Sequence, residues 1–108
     1  MELLSRSDEI LLLAVLKLQE NATGVAIIKE IQKTMGKKLS LGGLWVSLDI
    51  LTKRGLVTKR LGEPTPCPGG RRKLYYRLTE EGLEALERIQ ELNKILWKEI
   101  PEPVKNNR

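Results

Sequence analysis

The residues with the clearest capacity for chemistry in this sequence are its cations, which are concentrated in the middle of the chain. Residues 29–77 contain twelve Lys and Arg against three Asp and Glu, a net charge of +9, whereas the remainder carries seven against eleven, or −4. Segregated cations can neutralise phosphates, because counterion release scales with the number of cations that face a nucleic-acid backbone. The charge alone is equally compatible with a solvated basic surface.

Two short basic segments are the strongest candidates for phosphate contacts. They are Arg71, Arg72 and Lys73 in one segment and Lys37 and Lys38 in the other. The first follows two consecutive glycines, where the chain can turn sharply and lay guanidinium groups along a groove. The second immediately precedes a predicted helix, so we expect it near phosphate as well. For the first segment, the alternative is a solvated arginine-rich loop.

Catalysis and metal binding are not expected of this chain. It has no histidine and a single cysteine, so a zinc site would lack its usual ligands and no Cys/His or Ser/His pair could form. We therefore predict no enzyme activity, no catalytic residue, no metal and no cofactor. Cys67 lies between two prolines and is interpreted as an exposed, reduced thiol without a role.

Length and hydropathy indicate one small domain. The longest apolar run, residues 10–16, is far too short to cross a bilayer, and no signal-peptide pattern precedes it. We therefore predict a soluble, cytoplasmic protein. A chain of 108 residues builds only a modest core, so oligomerisation is expected.

The elements that must position the cations follow from the central part of the chain. Ser40 is a candidate N-cap for a helix that Gly55 ends. Two strand-like runs, residues 56–61 and 74–78, flank a segment rich in Pro and Gly. Thr79, followed by two glutamates, marks the start of a further helix. This order predicts an α+β fold, mostly α: a winged helix-turn-helix with a C-terminal dimerisation helix.

The third helix has two contrasting faces. Its core face is predicted to consist of Leu41, Leu44, Leu48 and Leu51. The opposite face carries Gly42, Gly43, Val46, Ser47, Ile50 and Arg54. Two glycines in the first turn cost helix stability, about 1 kcal/mol each relative to alanine, which indicates that a partner approaches the backbone there. The alternative is a frayed first turn that has no partner.

We predict that the N-terminal half of this helix enters the major groove of DNA. The residues predicted to lie at the DNA are Ser40, Gly42, Gly43, Trp45, Val46 and Ser47. Within this set, Trp45 is expected to be half buried and to support the helix from its flank.

The first two helices are predicted from their caps and stops. Ser5 and Ser7 are candidate N-caps of the first helix, which is then almost continuously apolar over residues 10–18 and should be buried on more than one side. Thr23 can cap the second helix, and Gly36 ends it.

The fourth helix carries an apolar stripe with one polar position. Its members, spaced three and four residues apart, are Leu86, Ile89, Asn93, Leu96 and Ile100. Because three helices and a hairpin already close a small core, we predict that this stripe pairs with a second chain, to which Leu12 and Leu16 of the first helix contribute. The alternative is docking on its own domain. The predicted divisions are a DNA-binding domain (1–78), a dimerisation helix (79–101) and a flexible tail (102–108).

The sequence resembles the PadR family of transcriptional regulators from about Ser7 through the fourth helix. The most specific segments are SLGGLWVSLDILTKRGLV and GGRRKLYYRLTEEG, which are similar to the family patterns s-x-G-t-l-Y-p-x-L-x-x-L-e-x-x-G-l-i and g-r-r-k-Y-Y-x-l-T-e-x-G. The resemblance implies a homodimeric repressor that binds a pseudo-palindromic operator and is released by a small effector. A single C-terminal helix is similar to the short members of the family.

Three residues depart from the family pattern. Gly43, Trp45 and Val46 stand where the family usually has threonine, tyrosine and proline, so the operator sequence cannot be carried over. In some short relatives a tryptophan on the final helix lines an apolar pore between protomers. By that resemblance, Trp97 and Asn93 are a candidate site for a flat, largely apolar, neutral or cationic effector. Otherwise Trp97 is an interface core residue.

Three classes of function are therefore compared. The favoured one is a dimeric, sequence-specific DNA-binding repressor. The second is a winged-helix module for protein assembly without specific operator binding. The third, an enzyme, lacks a nucleophile with a base and a set of metal ligands. Salt-dependent binding to duplex DNA separates the first two.

Overall fold

The computed structural model describes residues 3–36, 40–64 and 72–101, over which the chain forms four α-helices and one β-hairpin. The helices are α1 (Arg6–Leu18), α2 (Gly24–Met35), α3 (Leu41–Lys53) and α4 (Glu80–Lys98), with a 3₁₀ turn at Gln19–Asn21. The strands are β1 (Val57–Leu61) and β2 (Leu74–Leu78). The predicted order of elements is confirmed. No helix within these described ranges is long and apolar enough to cross a membrane.

Each α-helix begins at a predicted hydroxyl cap. The side-chain oxygens of Ser5, Thr23, Ser40 and Thr79 accept hydrogen bonds from backbone N–H groups three residues later, at 3.0–3.3 Å. Ser7, the other candidate for the first helix, lies inside α1. Such caps satisfy N–H groups that the helix itself leaves unpaired.

The hairpin is antiparallel and is attached to the helices along its second strand. Val57 lies opposite Leu78, and Leu61 lies opposite Leu74. On the other side of β2, the Tyr76 N–H donates to the Ala22 carbonyl oxygen at 2.8 Å. The strand is therefore held between β1 and the turn that precedes α2, which orients the hairpin relative to the helices.

The core lies between the first three helices, the hairpin and the beginning of α4. Its most completely buried large side chains are Leu12, Val15, Ile27, Leu48, Leu51 and Val57. Tyr76, 4% exposed, adds an aromatic ring from β2.

Three residues predicted to face a second chain belong to this core instead. Leu12 has no exposed surface, and Leu86 and Ile89 are 7% and 9% exposed. The reason is that α4 packs on α1 and β2 as soon as it begins, so its first half closes the open side of the domain. Because their own chain already covers Leu12, Leu86 and Ile89, these side chains have little surface left to contact a second chain. Their predicted place in a dimer interface is corrected to a place in the core of the domain.

The start of α4 is joined to the turn that follows α3. The Thr79 N–H donates to the Leu56 carbonyl oxygen at 3.1 Å, and the Thr79 hydroxyl donates to the Gly55 carbonyl oxygen at 2.7 Å. Gly82 packs directly on this junction: a Cβ added there would overlap the Leu56 oxygen and lie 2.8 Å from Leu78 Cδ1. The direction of α4 is therefore coupled to the end of α3.

Candidate nucleic-acid interface

The first turn of α3 is open at the protein surface. Gly42 and Gly43 are exposed, and a Cβ added to either would have its nearest neighbour in Ser40, at 3.7 and 3.8 Å. The Ser40 hydroxyl oxygen accepts from the Gly43 N–H at 3.3 Å and holds this turn in helical geometry. Farther along the same side, Val46 is 61% exposed and Ser47 is half-buried. An incoming molecule can thus come close to the helix backbone.

Trp45 packs along the flank of α3. Its ring lies against Gly24, where an added Cβ would come within 2.6 Å of the Trp45 Cη2 atom. The Trp45 ring centroid is also 6.1 Å from that of Tyr76. With 36% of its surface exposed, Trp45 joins α2, α3 and the hairpin, and this position agrees with the expectation of a half-buried support. Its predicted contact with DNA stays a prediction.

The side of α3 that faces the hairpin carries little net charge. Asp49 pairs with Lys53 at 3.2 Å, one helical turn later. Burial raises the pKa of the Tyr76 phenol, and the negative charge of Asp49 acts in the same direction. Tyr76 is therefore neutral at physiological pH and serves as a packing residue.

Two arginines of the hairpin are held by specific contacts. The Arg72 Nε donates to the Gly62 carbonyl oxygen at 3.0 Å, while the Gly62 N–H donates to the Lys73 carbonyl oxygen at 2.7 Å. The Arg60 guanidinium lies 4.6 Å from the centre of the Tyr75 ring. Arg72 and Lys73 are exposed and immediately precede β2, at the end of the hairpin opposite the Val57–Leu78 pair.

Lys59 is a further candidate that the sequence reasoning missed. Residues directly opposite each other on paired strands share a face. Lys59 therefore lies on the same face as its partner Tyr76, the face that packs towards α3. It is exposed, so its ammonium group is accessible on the face of the hairpin that packs towards α3. Val57, Lys59 and Leu61 are every second residue of β1 and therefore share one face of the strand. This period of two is the sequence signal that could have identified Lys59.

The remaining cations that were singled out from the sequence fall in two groups. Arg54, expected on the outer face of α3, pairs with Asp8 of α1 at 3.2 Å and ties the two helices together. Lys37, Lys38 and Arg71, as well as Cys67, lie outside the described residues. In the part of the chain that the structure describes, no group of three His, Cys, Asp or Glu could hold a metal ion.

The arrangement defines the class of protein. A three-helix core presents the open N-terminal turn of its third helix, and a hairpin with basic residues stands beside that helix. This is the winged helix-turn-helix architecture, in which the helix enters a DNA groove and the hairpin contacts the adjacent backbone.

The family follows from comparison with known proteins. Residues 12–88 match the model of the transcriptional regulator PadR-like family. The chain belongs to this family, and its function is accordingly DNA-binding regulation of transcription. A search of curated proteins finds no significant match.

Solved structures support the same conclusion. A PadR family transcription regulator from Clostridium difficile is 25% identical, with a TM-score of 0.65 over 84% of this chain and 91% of that one. A PadR family regulator from Eggerthella lenta is also 25% identical, with a TM-score of 0.65 over 86% and 79% of the two chains. A structure described as the complex hsRosR-S1 is 27% identical, with a TM-score of 0.65 over 97% and 84%.

Proposed function

We propose that this protein is a sequence-specific transcriptional repressor that acts in the cytoplasm as a homodimer on a pseudo-palindromic operator. The observation that carries the proposal is the open first turn of α3, together with the exposed cations Arg72 and Lys73 of the hairpin that packs on the same helix. The exposed glycine backbone suits close approach to base edges, and the exposed cations of the hairpin suit phosphate contacts.

In this proposal the DNA-binding domain comprises residues 1–78. Ser40, Gly42, Gly43, Val46 and Ser47 lie nearest the bases in the major groove, and Trp45 supports them. Lys37 and Lys38 contact phosphate at the helix N-terminus. Arg71, Arg72 and Lys73 contact phosphates or the minor groove from the wing, and Lys59 adds to the positive charge beside α3.

Sequence-specific binding is tested by selecting duplexes from a random double-stranded library and by footprinting the promoter of the protein's own gene. The expected result is a preferred duplex with two related half-sites. The competing function, an assembly module without operator binding, requires that no duplex be enriched and that binding show no dependence on salt.

The wing is tested through the salt dependence of binding. Replacing both Arg72 and Lys73 with alanine is expected to weaken binding to all duplexes, while the preference for the selected one persists. The slope of log affinity against log salt concentration is negative, and it should become shallower by about one unit for each phosphate that the variant no longer neutralises.

A charge-matched control separates the loss of phosphate contacts at the wing from the general effect of a lower net charge on DNA binding. Lys94 and Lys98 lie on the exposed second half of α4, and replacing both with alanine removes the same two charges. This pair should leave the slope nearly unchanged. Equal slopes in the native protein and the wing variant would remove Arg72 and Lys73 from the interface.

Dimerisation is proposed from the apolar surface that the domain leaves uncovered. On the second half of α4, Leu96 is 51% exposed, and just beyond the end of this helix Ile100 is 54% exposed. On α1, Leu13 and Leu16 are 46% and 39% exposed. Large exposed apolar residues on two helices mark an association surface. A two-fold arrangement through residues 79–101, with Leu16 and half-buried Asn93 at the contact, would set the two α3 helices about one DNA turn apart.

Replacing Leu96 with glutamate is expected to split the dimer, because association would bury an unpaired carboxylate. In sedimentation velocity at micromolar concentration, the native chain should be dimeric and the variant's dissociation constant roughly tenfold higher or more. Leu61, 56% exposed on β1, offers the same substitution away from α4 and should leave the dimer intact. A monomeric native chain would contradict both this interface and the effector site that depends on it.

The proposed effector site lies between the two Trp97 rings of such a dimer, with Asn93 as its polar neighbour. Trp97 is 67% exposed, so a flat compound could stack on it. Planar dyes should quench the tryptophan fluorescence of the native dimer. They should quench the fluorescence of Trp97→Ala and of Leu96→Glu to a smaller extent. Trp45 supplies the residual fluorescence. Full quenching in Trp97→Ala would place the ligand elsewhere.

A further inference from the structure

The exposed surface of α3 is unusual in its side-chain chemistry. Val46 is 61% exposed and Ile50 is 50% exposed, and the two are one helical turn apart on the side that also carries Gly42. The helix, Leu41–Lys53, contains no arginine, asparagine or glutamine. A large share of the surface that would meet DNA is therefore aliphatic.

The polar side chains of α3 are largely engaged with the protein. The Thr52 hydroxyl donates to the Leu48 carbonyl oxygen at 2.7 Å, and Asp49 pairs with Lys53. Ser47 is half-buried. Guanine is usually read by a bidentate arginine or lysine, and adenine by asparagine or glutamine. The exposed N-terminal half of α3 offers none of these side chains.

What aliphatic side chains can recognise in the major groove is the C5 methyl group of thymine. We propose, resting on the function proposed above, that α3 reads its half-site mainly through thymine methyl groups, which Val46 and Ile50 contact. The open backbone at Gly42 and Gly43 brings the helix close enough for these short side chains to reach the groove floor. The preferred half-site accordingly has A·T base pairs opposite Val46 and Ile50.

The test uses the duplex recovered by library selection. Each thymine is replaced singly with deoxyuridine, which lacks the methyl group but keeps the same base pairing and groove hydrogen-bonding groups. At one or two thymines per half-site, affinity should fall about fourfold, the change that corresponds to burial of one methyl group, about 0.8 kcal/mol. Thymines outside these positions should tolerate the replacement.

Protein variants assign the methyl contacts to residues. Val46→Ala should abolish the difference between thymine and uracil at one position, and Ile50→Ala at another. Val25, 55% exposed on α2, is the matched control, and Val25→Ala should leave both differences intact. Alanine suits exposed helix positions, so these variants should keep the native melting temperature within a few degrees.

The outcomes separate this inference from the proposed function. A specific duplex whose affinity is insensitive to uracil at every thymine overturns methyl reading and leaves operator binding intact. Sensitivity that persists unchanged in both Val46→Ala and Ile50→Ala overturns the assignment to these residues. Failure to enrich any duplex overturns operator binding and the methyl reading with it.

Discussion

Replacing Gly82 with alanine is expected to lower the free energy of unfolding by about 2–3 kcal/mol, because the added methyl group has no space. It would overlap the Leu56 carbonyl oxygen, a backbone atom that also accepts the Thr79 N–H, and would press on Leu78. Relief requires α4 to move away from the turn after α3. The melting temperature should accordingly fall by roughly 10–20 °C.

Gly43 provides a closely matched control for this substitution. Both glycines occupy the third position of a helix, and both donate their N–H to a capping hydroxyl, Gly43 to Ser40 and Gly82 to Thr79. Around Gly43, however, there is space for a Cβ. Gly43→Ala should therefore be neutral or stabilise the fold by up to about 1 kcal/mol. Urea and thermal unfolding followed by circular dichroism measure both variants; equal stabilities would refute the close packing of α4 at Gly82.

Replacing Gly43 with leucine is expected to reduce affinity for the preferred duplex at least 100-fold, a loss of about 2.7 kcal/mol of binding free energy. The physical reason is steric: in the proposed complex, a side chain at this position would occupy the space between the bases and the backbone of α3. Gly43→Ala should have an affinity for this duplex between those of the native protein and Gly43→Leu. Fluorescence anisotropy with the selected duplex and with a scrambled duplex of equal length measures the effect.

Two controls make the Gly43 result specific to DNA. The melting temperature of Gly43→Leu should stay near the native value, because Gly43 is exposed and a Cβ added there would meet only Ser40, at an ordinary contact distance. Binding to the scrambled duplex at low salt should change little, since the variant keeps every cation that is proposed to contact phosphate. Native affinity for the preferred duplex in Gly43→Leu would show that another element reads the operator.

The local structure of this protein could be predicted from sequence because its signals act over a few residues. A hydroxyl three positions before an unpaired N–H starts each helix at Ser5, Thr23, Ser40 and Thr79. Gly36 and Gly55 adopt left-handed backbone geometry, with φ of 70° and 78°, just after α2 and α3. Alternation and β-branched residues identified both strands of the hairpin. Together with the PadR-like motifs, these signals determined the winged-helix fold and the position of its recognition helix.

Tertiary structure alone decided what each helix face meets. Periodicity shows that Leu86, Ile89 and Leu96 share a stripe, but the packing angle of α4 buries the first two and leaves Leu96 exposed. Gly43 and Gly82 have the same local cap geometry, yet only Gly82 lies against another backbone. A repeat along one helix specifies which residues lie together, whereas their neighbours depend on where distant segments cross, and that is a property of the whole packed chain.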